Sequence, residues 1–245
     1  MDSYAACGRT ACRRALAALL VAMLLPSAGR ASIMLGQVDT FQDGTTQNWG
    51  NGSPIRPTNV PNGGPGGAGD AFMDVMSTGN DGPGGRLTVQ NHDQWSGNYL
   101  AAGVSVIEMD LKNFGTDPLL MRVGLKQGIG SLAPGFASLD PFVLPPDDAW
   151  HHAVFQLDEA SLTRINSTTL TLNDMLSNVV EFRLVHSIDP SLMGEQVPGE
   201  FGADNILAGP SPAPEPGGLA LALSGLPVLA AYGYRRLRRA RPATA

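Results

Sequence analysis

Apolar and polar positions alternate through the middle of the chain. From Ser105 to Leu111, Ile107, Met109 and Leu111 fall on one face, with Val106, Glu108 and Asp110 on the other. That period of two belongs to a strand with one side toward solvent. Between Leu119 and Lys126 the inward set is Leu119, Met121, Val123 and Leu125, opposite Arg122 and Lys126. Trp150 to Leu157 offers Ala153, Phe155 and Leu157 inward, and Val180, Phe182 and Leu184 alternate with Glu181 and Arg183. No long amphipathic helix separates these segments, although Thr168 to Leu176 has room for a helical turn or two. Strands recurring at turn-rich intervals predict an all-β chain, an antiparallel β-sandwich whose two sheets bury their apolar faces together. A more open α+β domain is the alternative. The glycine- and proline-rich stretch from Asn59 to Gly69 predicts a surface loop.

Both ends carry a different pattern. Gly217 to Tyr234 is an uncharged run of 18 residues, which as a helix would extend roughly 27 Å, close to a hydrocarbon core. Arg235, Arg236, Arg238, Arg239 and Arg241 follow it at once. Such a cluster resists translocation, so it predicts a C-terminal transmembrane helix with its basic end cytoplasmic and the body outside. At the other end, Arg9, Arg13 and Arg14 precede an apolar stretch from Ala15 to Leu25 and small residues up to Ala31. That order predicts an N-terminal signal helix cleaved after Ala31 or Ala28, and hence export. The organisation expected is a signal peptide over 1–31, a sandwich over 32–210, a proline-rich spacer and motif over 211–216, a span over 217–234 and a basic tail over 235–245.

Setting the ends apart changes the charge and the cysteine chemistry. Between Ser32 and Pro210 there are 20 acidic residues against 7 Lys and Arg, a net charge of −13, where the whole chain carries −6. An acidic body is repelled by nucleic acid and anionic lipid and attracts divalent cations. Cys7 and Cys12 both fall inside the predicted leader. The mature body then has neither a disulfide nor a thiolate for catalysis or metal binding.

The tail resembles a PEP-CTERM sorting signal, on Pro214, Glu215 and Pro216, the apolar run, and the five arginines from Arg235 to Arg241. The resemblance implies recognition by the membrane protease exosortase after export, with delivery to the cell surface or an extracellular polysaccharide matrix. It covers about 30 residues of the 245 and implies nothing about the body. A second resemblance rests on Asp39-Thr40-Phe41-Gln42-Asp43-Gly44, Trp49 and Gly202-Ala203-Asp204-Asn205-Ile206. These segments are similar to the first and last strands of galactose-binding-like or carbohydrate-binding jelly rolls. Members of that superfamily hold a structural calcium between those strands, which here would draw on Asp39, Asp43, Asp204 and Asn205. Calcium takes six to eight oxygen ligands, so backbone carbonyls would complete the shell. The alternative makes Asp39 and Asp43 turn acids and Asp204 an acceptor of backbone hydrogen bonds.

His92, Asp93, Trp95 and Tyr99 form the candidate sugar pocket, a ring to stack on a sugar face and polar groups to bond its hydroxyls. The alternative is a tryptophan that anchors a loop to the core beside solvated His92 and Asp93. Adjacent His151 and His152 point to opposite faces of a strand and make no metal pair. Glu108, Asp110 and Glu181 make a paired-carboxylate glycosidase conceivable, yet no Gly-x-Ser-x-Gly or His-Glu-x-x-His motif is present. The readings in competition are a noncatalytic glycan-binding or adhesive surface module, a structural matrix component without a sugar site, and a glycan-active hydrolase or lyase.

Overall fold

The computed structural model of the protein describes residues 32–52 and 56–210. The predicted leader, the motif Pro214 to Pro216, the apolar span and the arginine cluster lie outside the described residues. Every described residue belongs to one compact unit that ends at Pro210. None of the described helices is long and apolar enough to cross a membrane.

Among the described residues twelve strands form two six-stranded antiparallel sheets. The first runs in the order β2 (Thr58–Val60), β3 (Phe72–Thr78), β12 (Pro198–Gly209), β5 (Val106–Asn113) and β9 (Trp150–Gln156), with β1 (Val38–Asp39) also paired to β12. The second runs β10 (Leu162–Ile165), β7 (Gly135–Ser138), β6 (Leu119–Lys126), β11 (Glu181–His186) and β4 (Thr88–Asn91), with β8 (Phe142–Leu144) joined to β6. The sandwich is the all-β architecture that the alternation predicted. Two short helices, α1 (Tyr99–Ala102) and α2 (Leu172–Ser177), interrupt it. Asn98 caps α1, its side chain accepting from the Ala101 N–H, and Thr171 caps α2 by accepting from Asp174.

The inward rows are those of the pattern. Ile107, Met109 and Leu111 of β5 face Met121, Val123 and Leu125 of β6 and Phe182 and Leu184 of β11 in one core. Phe182 is fully buried within it, stacked on Trp95 with ring centroids 5.2 Å apart and edge-on to Trp49 at 5.6 Å. Among the described residues this core runs from Ile33 to Ala208.

Two details depart from simple alternation. Asn59 was expected in a loop, but Thr58–Val60 pairs with β3 as a short strand. The Asn59 amide donates to the Phe41 and Thr45 carbonyls at 2.6 and 2.9 Å, so a tertiary partner holds what local propensity does not. In β12 the register against β5 slips between Asp204 and Leu207, with Asn205 at φ 51°. This bulge inserts one residue, so Ala203 and Ile206 both face the core although strict alternation would place them on opposite faces. Asp204 is left on the outer face opposite its partner Asp110.

Candidate functional site

The outer face of the second sheet carries a buried ion cluster. Glu181 and Arg183 on β11 and Lys126 on β6 alternate with inward Phe182, Leu184 and Leu125, which puts all three on the side away from the core. Glu181 is fully buried; its Oε1 accepts from Lys126 Nζ at 2.8 Å and from Arg183 Nε, and its Oε2 lies 3.2 Å from His92 Nδ1. Burial pushes the Lys126 ammonium down, and the bond to Glu181 works against that shift. Leu192 lies across Gly124 and Gly135, where a side chain on either glycine would collide with it. The segment after β11 thereby covers part of this face.

Beside that cover the face is open over β4. A recess of about 870 Å³ is lined by Gln90, His92, Asp93 and the segments Thr45–Gly52 and Arg56–Pro57. A smaller one of about 210 Å³ adjoins it, sharing Asn51 and Gln90, and is lined by Arg86, Thr88 and Arg183. The lining chemistry is amide, hydroxyl, imidazole and guanidinium. Gln90 Nε2 lies 3.3 Å from His92 Nε2, and the Asp93 N–H donates to Asn91 Oδ1 at 2.9 Å in a turn that leaves the Asp93 side chain exposed.

The four residues of the expected sugar pocket divide. His92 and Asp93 line the larger recess. Trp95 and Tyr99 are fully buried, so neither ring has a face to offer a ligand. The reason is the demand of the core: Trp95 packs on Phe182, and the Tyr99 hydroxyl donates to the Trp95 carbonyl at 2.9 Å. Trp49 lines the recess with only 3% of its surface exposed, which leaves hydrogen bonding rather than ring stacking as the chemistry available there.

The four residues of the expected calcium shell also divide. The first and last strands do pair, Asp39 opposite Ile206. Asp39 therefore faces inward, where its Oδ2 accepts from the indole N–H groups of Trp49 at 2.7 Å and Trp95 at 2.6 Å. Burial pushes its carboxyl up and these bonds work against that. Asp43 stands in an exposed turn, accepting from the Thr45 N–H and hydroxyl, which lowers its carboxyl. Asp204 and Asn205 lie at the outer face of the first sheet, where the Asn205 amide donates to Asp110 Oδ2 at 2.9 Å. One ion cannot reach Asp39 and Asp204 on opposite faces of a sheet, so the four do not fit a single calcium shell. Among the described residues no three His, Cys, Asp or Glu side chains converge to hold a metal. Asp204 itself is fully buried, and no side chain among the described residues pairs with either carboxylate oxygen. Burial, with Asp70 and Asp110 adding like charge, pushes its carboxyl up to about 7.

The carboxylates considered for glycoside hydrolysis are separated by the sandwich. Glu108 and Asp110 lie on the outer face of the first sheet, bridged by His152 at 3.2 and 3.0 Å, whereas Glu181 lies on the outer face of the second. The bonds to Asp110 and Glu108 raise the His152 imidazole. His151 turns away to Asp147 at 2.9 Å, as adjacent residues of a strand must. Sequence reasoning missed Arg86, Gln90, Arg183 and the Lys126–Glu181 pair. The signal present was the charged outward row of two strands; which strands become neighbours is not written in either one.

No protein-family model and no curated protein matches the chain. Among solved structures it is similar to a family 11 carbohydrate-binding module from Clostridium thermocellum in complex with a β-1,3-1,4-mixed-linked tetrasaccharide. That pair is 20% identical over 72% of this chain and 97% of the other, with a TM-score of 0.44. It is also similar to the family 11 module of a cellulosomal cellulase of Clostridium thermocellum, at 17% identity over 74% and 98% of the two chains and a TM-score of 0.46. An exo-β-agarase matches at 11% identity over 73% of this chain and 25% of its own, with a TM-score of 0.48.

Proposed function

We propose that the protein is an exported, noncatalytic glycan-binding or adhesive module whose ligand lies in the recess over β4. The observation that carries this reading is the recess itself, about 870 Å³ and walled by amides, hydroxyls, His92 and Asp93. Small-ligand sites occupy roughly 300–1,000 Å³, and a wall of amides and hydroxyls matches the donor and acceptor pattern of sugar hydroxyls. The clamping of Glu108 and Asp110 by His152, and of Glu181 by Lys126 and Arg183, leaves these carboxylates in pairing roles.

The motif Pro214-Glu215-Pro216, the apolar run and the arginine cluster support sorting by exosortase to the surface or the polysaccharide matrix, with the inner membrane as an intermediate station. The calcium expectation reduces to Asp204, the buried carboxylate of the set with which no described side chain pairs. The test of ligand binding is a glycan array probed with residues 32–210, followed by titration of the best hit against the Gln90→Ala and His92→Ala variants. Saturable binding weakened by both substitutions is the expected result. Binding unaffected by either, or no saturable binding to any glycan, removes the recess as the site.

A further inference from the structure

The body is strongly acidic, yet its few cations are not spread over it. Of the seven Lys and Arg between Ser32 and Pro210, Arg56, Arg86 and Arg183 line the two adjoining recesses and Lys126 lies buried on the same sheet face. Among the residues that line the recesses these three arginines stand against the single carboxylate of Asp93; behind them Lys126 and Glu181 offset one another, and Asp43 and Asp81 occupy the turns beside Thr45 and Gly82.

The guanidiniums are also held in place. Arg183 Nη1 donates to the Leu192 carbonyl at 2.8 Å, and Arg86 Nη1 donates to the Gly194 carbonyl at 2.8 Å, so one segment of chain fixes both. Glu181 takes Arg183 Nε and Lys126 Nζ, and the second terminal nitrogen of each arginine has no partner among the described residues. Two oriented, partly buried guanidiniums with spare N–H donors beside one recess match an oxyanion better than a neutral hydroxyl.

We propose that the ligand is an anionic polysaccharide, its carboxylate or sulfate groups received by Arg86 and Arg183 while Arg56 meets the strand further along. This rests on the glycan reading of the recess and specifies the class of sugar. The acidic residues of the first sheet do not cancel the attraction. They lie on the outer face of the first sheet, so both sheets, packed about 10 Å apart, stand between them and a chain bound in the recess. A uronate chain carries one charge per sugar, far fewer per unit length than duplex nucleic acid, so it meets the local cations with less repulsion from the rest of the body.

The experiment titrates residues 32–210, which hold every described residue of the core, with polygalacturonate, dextran sulfate, unmodified dextran and mixed-linkage β-glucan, in 0.15 and 0.5 M NaCl. The expected result is saturable binding of at least one polyanion, weakened several-fold at the higher salt, with little binding of the neutral polymers. The polygalacturonate and dextran sulfate arms separate carboxylate from sulfate. Arg86→Gln should weaken the polyanion about tenfold or more, the scale of one charge-assisted hydrogen bond. Arg56→Gln, at an exposed residue, should weaken it several-fold without a change in folding. Equal, salt-independent binding of neutral glucan unchanged in both variants overturns the inference and leaves the glycan reading standing. Binding of none of the four polysaccharides overturns both.

Discussion

Replacing Asp204 by Asn should change how stability responds to pH, because the native state holds this carboxyl where water cannot reach it. Its folded pKa is about 7 against an unfolded reference of 3.8. A folded pKa raised above the unfolded one contributes stability that is fully present below about pH 4 and lost as pH rises through 7. At 1.36 kcal/mol per unit the loss is at most about 4 kcal/mol, and about 2 kcal/mol if water or side-chain relaxation partly solvates the carboxylate. Urea unfolding of residues 32–210 and the D204N variant, at pH 4 and pH 8 with a chelator, measures it. Near pH 4 the two should differ little, and at pH 8 the variant should be the more stable by about 2–4 kcal/mol. Asp74, also pushed up to about 6 by burial and Glu200, titrates in both proteins and cancels in the comparison. A stability difference that is the same at both pH values refutes the reasoning. Calcium adds a second arm: an ion at Asp204 would neutralise the buried charge and raise the parent's stability at pH 8 while leaving the variant unmoved. No calcium effect on the parent marks Asp204 as a plain buried acid.

Phe182→Ala should cost about 3–5 kcal/mol in urea unfolding, since it removes a fully buried ring between two tryptophans and leaves a cavity; a loss under about 1 kcal/mol would show the site collapsing around the gap. Arg122 donates to the carbonyls of Ser138, Leu139, Ser187 and Ile188, so Arg122→Met should cost about 3 kcal/mol or more by the same assay and loosen proteolytic protection around Ile188. An unchanged digest and midpoint would assign the four carbonyls to water. Glu215→Ala, or deletion of 235–241, should impair precursor processing and surface delivery while the body remains folded; normal fractionation of both variants would remove the sorting assignment.

The alternation of Ile107, Met109 and Leu111, of Met121, Val123 and Leu125, and of Phe182 and Leu184 determined by itself that these segments are strands and which faces they bury. Period and burial are local properties, and one chain segment displays both. The acidic body and the cysteine-free stretch from Ser32 to Pro210 are likewise properties of composition. Tertiary structure alone decided the rest. Trp95 and Asp39 read as ligand-facing because aromatic and acidic residues so often are; the fold instead turned them toward each other, since a buried indole N–H and a buried carboxylate each need a partner. The bulge at Asn205 moved Asp204 to the opposite face of the sheet from Asp39, and a shift of one residue is invisible in a sequence whose pairing is unknown. Arg86 and Arg183 line one recess, with Lys126 buried on the same sheet face, because β4, β11 and β6 are neighbours in the sheet. Strand adjacency is a long-range choice made by the packing of the whole core, so the residues that meet at the site could not be named until the sheet order was known.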